Sequence, residues 1–189
     1  MKKILLNPFE FFSEKQLLLV GFLGNALLVF LSFYFNIKFI GNLKSIPLNE
    51  IEFKNVIIQH LIIVATTTFL FFGLGKYLNS KTRFIDVLAT CLVSRVVFCI
   101  IPIINYNNKM YEITKRVIGS LTTANPEKAM ASDLPLLVFF SVIALMVMVW
   151  FFILLYNGFK TSTNAKGSKP IILFIVTTTI IETLTRILI

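Results

Sequence analysis

Apolar positions along this chain neither alternate nor keep to a single helical stripe. They run for about twenty residues at a time, interrupted only by isolated polar or small residues. A helix of ~20 residues crosses a hydrocarbon core of ~30 Å. The runs predict five spans, at about 16–36, 53–75, 84–104, 134–157 and 170–189. The expected fold class is all-α: a polytopic membrane protein whose residues 1–189 form a single five-span domain.

The polar residues between the runs supply helix boundaries. Ser13 and Gln16 have capping-box spacing and open the first span, and Asn49 and Glu52 repeat that spacing before the second. Gly73, Gly75 and Lys76 are read as its end, Asp133 with Pro135 as the start of the fourth span, and Gly158 as its stop. Ser168 with Pro170 opens the fifth. Two shorter helices are expected at the membrane surface. One covers about 7–14, with Asn7 as cap, Pro8 in the first turn, Glu10 three after the cap, and Phe9, Phe11 and Phe12 among the headgroups. The other covers about 108–122, where Met110, Ile113, Val117, Ile118 and Leu121 recur at helical spacing opposite Lys109, Glu112, Lys115 and Arg116. The connection 37–52 is read as a loop.

Composition sharpens this picture. Hydrophobic residues make up 57% of the chain, against ~45–50% in soluble domains, so no soluble domain of ordinary size fits between the spans. The net charge of +9 would suggest nucleic acid in a soluble protein. Here the basic residues sit in short loops and no basic patch is interleaved with exposed aromatics, so they are read as setting topology and no nucleic-acid partner is expected. With the N-terminus inside, nine Lys and Arg fall in the inner connections and seven in the outer ones. That bias favours a cytoplasmic N-terminus and a C-terminus on the opposite face of the plasma (inner) membrane. The opening MKKILLNPFEFF has no small-residue cleavage site and is read as retained.

Candidate chemistry is confined to a few residues within the spans. A charge at mid-membrane costs at least ~2.5–3.5 kcal/mol on insertion scales, so Arg95, central in the third span, needs a polar partner or water. Counting ~1.5 Å per residue, Arg95 lies ~16 Å and Glu182 ~18 Å from the same side, Asn25 ~13 Å in, and His60 ~10 Å from the other side. Asn25, His60, Arg95 and Glu182 from four spans therefore form a candidate intramembrane polar cluster, with Arg186 one turn beyond Glu182. One reading is an Arg95–Glu182 ion pair that fixes packing, with Asn25 and His60 as hydrogen-bond partners. Another is a proton or solute path that uses Glu182 and His60 as titrating groups. Alternatively, Arg186 pairs with Glu182 at i,i+4 or reaches to the interface. The threonine triples Thr66–Thr68 and Thr177–Thr179 fall at matching depth and are read as bonding to their own helices.

Catalytic and cofactor patterns are missing: there is no GxSxG, HExxH or CxxC, and GLGKYLNS lacks the glycine spacing of a phosphate loop. The pairing of Ser94 with His60 is too weak to argue a nucleophile. A single histidine gives no multi-histidine metal site, and no cofactor is expected. Cys91 and Cys99, eight apart on one helix, are separated by ~12 Å and cannot form a disulfide.

Two stretches, KTRFIDVLATCLVSRVVFCIIPI and WFFILLYNGFKTSTNAKGSKPIILFIV, together with the opening NPFEFFSEK, resemble the Yip/Yif family. In the first, a short basic loop and an aromatic precede an apolar helix that ends near a proline. In the second, Trp150, Gly158 and a lysine-bearing loop fall where the family's fourth span gives way to its fifth. The resemblance covers most of the chain in architecture and about 60 residues in pattern, and the Ile, Lys, Asn and Phe usage is that of a bacterial member. It implies five spans with a cytoplasmic N-terminus. Eukaryotic relatives bind prenylated Rab-type GTPases; this sequence lacks their long soluble N-terminal region, which makes Rab-type GTPase binding doubtful. The expected function is a non-enzymatic integral membrane scaffold or accessory protein in membrane organisation or trafficking-like processes. Its expected partners are the lipid bilayer and other membrane proteins or a second copy. The alternative is a small proton- or ion-linked transporter.

Overall fold

The computed structural model describes residues 2–120 and 126–189, with side chains for 4–119 and 133–189. Five of its helices are long and apolar enough to cross a membrane: Glu14–Tyr34, Phe53–Leu78, Phe84–Ile103, Asp133–Thr163 and Lys169–Leu188. The chain is an all-α polytopic protein.

In chain order, α1 (Lys2–Leu6) and a 3₁₀ turn (Pro8–Glu10) lead into α2 (Glu14–Tyr34). A hairpin of β1 (Ile37–Phe39) and β2 (Ser45–Pro47) precedes α3 (Phe53–Leu78). The third span is α4 (Phe84–Arg95), a 3₁₀ stretch (Val96–Cys99) and α5 (Ile100–Ile103). Then come α6 (Lys109–Ser120), α7 (Pro126–Thr163) and α8 (Lys169–Leu188). The third span is the central one: α2, α3 and α7 all pack against α4, while α8 packs on α3. Its position explains why nearly every α4 residue from Val87 to Arg95 is buried, whereas α7 shows lipid Leu134, Val138, Phe139, Val142, Leu145 and Met146.

Small residues set how closely the spans approach. The buried face of α2 carries Leu17, Gly21, Gly24, Asn25, Leu28 and Ser32. A Cβ on Gly21 would stand 2.7 Å from Leu92 Cβ, and one on Gly24 would stand 2.4 Å from a Val96 methyl. In lipid, where burial between helices gains little, such close backbone approach is a main source of association. The break after Arg95 has a local cause. Pro102 has no N–H and its ring crowds the carbonyl of residue 98, so the preceding turn tightens to 3₁₀.

Several sequence boundaries move. The Ser13–Gln16 capping box forms as the spacing predicts. Asn7, by contrast, makes no side-chain cap bond, and the expected helix over 7–14 is only the single turn Pro8–Glu10. The Asn49–Glu52 box is also replaced: Glu52 itself flanks the start of α3 and accepts from Asn55. α3 continues past Gly73 and Gly75, because Gly75 serves contact with Thr82, whose hydroxyl donates to its carbonyl at 3.0 Å. α7 starts seven residues before Asp133, and Pro135 lies inside it. Asp133 accepts a two-pronged bond from Arg116 of α6, at 2.8 and 3.1 Å, which ties α6 to the start of the span. Gly158 does not end α7 either. A Cβ there would stand 2.4 Å from a Thr90 methyl, so the missing side chain lets α7 pack closely on α4. The last two positions of the expected 108–122 helix lie outside the described residues.

Candidate functional site

The connection between the first two spans folds back into the bundle. Ile37 pairs with Pro47, Lys38 with Ile46 and Phe39 with Ser45, antiparallel. Ile37, Phe39 and Asn42 are buried at 4%, 1% and 3% exposure, so the hairpin belongs to the core and is not a surface loop. Backbone at membrane depth survives only where protein satisfies its polar groups. Here Ile40 N–H donates to Lys44 O at 2.8 Å, which closes the turn. The outward-facing N–H groups of Asn42 and Leu43 both donate to Glu182 Oε2, at 3.0 and 3.2 Å. A carboxylate from α8 thus caps the hairpin tip. Gly41 makes this approach possible: its φ is +101°, and a Cβ there would stand 2.9 Å from both Glu182 oxygens.

Asn42 is the hub of the site. Its Nδ2 donates to Thr67 Oγ1 at 3.0 Å, and its Oδ1 accepts from Arg95 Nη1 at 2.7 Å. Arg95 is fully buried, and its guanidinium carbon lies 6.0 Å from the Phe39 ring centroid and 5.9 Å from that of Phe98. Cation–π contacts of this kind are worth ~2 kcal/mol when desolvated and offset part of the burial cost. Arg95 Nε and Nη2 have no hydrogen-bond partner among the described residues. No family model, curated protein or solved structure matches this chain.

The candidate cluster therefore divides. The expected Arg95–Glu182 ion pair is not formed, because the Asn42 side chain and backbone stand between the two charges. Glu182 pairs with Arg186 instead, through Nε at 3.0 Å and Nη2 at 2.9 Å. His60 joins from the Phe39 side, with ring centroids 5.4 Å apart in an edge-on arrangement. Its Nδ1 is 2.9 Å from Val56 O. A carbonyl only accepts, so Nδ1 carries the proton, and the buried Nε2 has no partner among the described residues. Asn25 is not part of the cluster. It donates to Gly21 O and Leu92 O, both at 2.8 Å, and so joins α2 to α4.

The threonines divide as well. Thr67, Thr178 and Thr179 donate to the carbonyl four residues back, as read from the sequence, but Thr67 also receives Asn42. Ser94 donates to Cys91 O and so is not poised toward His60. Both cysteines are free. Among the described residues no group of His, Cys, Asp and Glu could hold a metal. The residue that sequence reasoning missed is Asn42, with Phe39 and Gly41. The available signal was Gly-Asn between IKFI and LKSIP, a turn pair between two short β-like runs.

Proposed function

We propose that this chain is a non-enzymatic integral membrane scaffold or accessory protein of the Yip/Yif type, acting in membrane organisation or trafficking-like processes. It works by presenting a rigid helical bundle to lipid and to other membrane proteins or a second copy. The observation that supports this reading is the use made of the intramembrane charges. Glu182 is consumed in capping the hairpin tip and in pairing with Arg186, and Arg95 is sealed at 0% exposure behind Asn42. Polar groups whose partners the fold supplies in this way join segments within the membrane. In this reading the protein sits in the plasma (inner) membrane with its N-terminus cytoplasmic and its C-terminus on the opposite face.

The test is reconstitution. Purified protein in sealed vesicles is expected to give no pH-driven solute or ion flux, and Glu182→Gln is expected to lower thermal stability without altering any leak. Robust flux abolished by Glu182→Gln would overturn the scaffold reading. It would establish the second one, a small proton- or ion-linked transporter, which Arg95 Nε and Nη2 and His60 Nε2, without a partner among the described residues, favour.

A further inference from the structure

A crevice of about 620 Å³ opens sideways between α7 and α8, within the ~300–1,000 Å³ range of ligand sites. The two helices meet at Phe174, whose ring centroid is 5.3 Å from Tyr156 and 5.7 Å from Phe159. Beyond that contact the crevice is walled by Phe152 on α7, by Ile175 and Thr179 on α8, and by Leu43 at the hairpin tip. The Thr178, Thr179 and Thr183 hydroxyls all donate back into α8, so this wall presents mostly carbon. The far end is different. It is formed by Glu182 and Arg186, the latter with its side chain 49% exposed and two residues before the end of α8 at Leu188.

Length and charge together select the occupant. From Arg186 down to Ile175 the helix rises about 16 Å, close to half of a ~30 Å hydrocarbon core. One lipid leaflet has that depth. Among the residues that line the crevice Glu182 is the single acid and Arg186, paired with it, the single base, so those two charges balance. Lys44, next to Leu43 of the wall, is exposed and makes no ion pair among the described residues, so it leaves the crevice end with one uncompensated positive charge. Arg95, sealed behind Asn42, adds only its field from the interior. A zwitterionic headgroup does not neutralise such a site, but an anionic one does.

We propose that this crevice binds one anionic phospholipid, with its phosphate on Arg186 and one acyl chain laid along Thr183, Thr179 and Ile175 towards Phe174. The site fills the gap between α7 and α8, and it belongs to the protein under either function proposed above.

The test is a titration of detergent-solubilised full-length protein with phosphatidylglycerol, with phosphatidylcholine of the same chains, and with glycerol phosphate lacking chains. Melting temperature and native mass give the readout. Phosphatidylglycerol is expected to raise the melting temperature saturably at one lipid per chain, with phosphatidylcholine and glycerol phosphate each at least tenfold weaker. Thr179→Trp, which fills the crevice, is expected to remove the saturable step, and Arg186→Gln to weaken it at least tenfold. Met146→Trp, on the apolar groove between α1 and α7, is expected to leave it unchanged. The wild-type titration decides even where Arg186→Gln fails to fold. Equal response to both lipids, or equal loss with Thr179→Trp and Met146→Trp, overturns the proposal. Full activity of glycerol phosphate would make the site one for a free phosphate, and dissociation of a dimer by Thr179→Trp would make the occupant a second copy; either result overturns it too.

Discussion

Asn42 and Glu182 stand 140 positions apart in the chain and meet at 3.0 Å, a backbone N–H on a carboxylate. The contact places a hairpin tip at the middle of a helical bundle and gives an intramembrane acid a structural task. Glu182 supplies to the tip what water supplies to a turn outside the membrane. In return, the tip and Arg186 donate to the carboxylate, which would otherwise be costly at that depth.

Gly41→Ala tests this joint directly. The substitution forces a left-handed backbone on a residue with a side chain and drives its Cβ to 2.9 Å from both Glu182 oxygens. Strain of this kind costs ~1–3 kcal/mol before the displaced carboxylate is counted. A clear fall in melting temperature in detergent is expected. Gly73→Ala is the matched control. Nothing lies within 4 Å of where its methyl would stand and the site is a helix interior, so stability is expected to hold or rise by up to ~1 kcal/mol.

Arg95 and Asn42 are expected to be strongly coupled. Asn42→Ala removes the acceptor of a fully buried guanidinium and leaves that donor unsatisfied, a loss of ~1–3 kcal/mol. Arg95→Met removes the charge itself and is expected to cost less. Combined, the two substitutions are expected to be milder than their sum, by a coupling on the order of 1–3 kcal/mol in a thermal or denaturant double-mutant cycle. Strict additivity would show that Asn42 does not hold Arg95.

The α2–α4 contact depends on shape more than on its hydrogen bond. Asn25→Ala loses the bond to Leu92 O, and interhelical bonds in membranes average ~0.6 kcal/mol. Gly24→Leu places a branched side chain where a single Cβ is already 2.4 Å from Val96, so the helices must separate. Overpacking costs ~1–3 kcal/mol and often more. Gly24→Leu is therefore expected to lower the melting temperature further than Asn25→Ala.

Orientation is open to chemical labelling. In a background lacking Cys91 and Cys99, Lys81→Cys and Lys115→Cys place thiols in connections on opposite ends of the bundle. With the N-terminus cytoplasmic, an impermeant maleimide is expected to label position 115 in intact cells and position 81 only after lysis. The reverse pattern inverts the topology.

The amino-acid sequence by itself determined the five spans, the Ser13–Gln16 capping box and the burial burden carried by Arg95, because each is a property of one segment in lipid. Span length follows from apolar run length, and capping from residues three apart. Tertiary structure decided everything that needed two segments. It put Asn42 between Arg95 and Glu182, turned Gly158 from an apparent helix stop into a contact with Thr90, and carried the 37–47 stretch inward. Depth arithmetic places residues on a common level but says nothing of helix rotation, and a polar turn reads as a surface loop until its buried partner is known. That partner lay on the last helix, so only the folded chain could show that the hairpin's donors and the Glu182 carboxylate satisfy each other.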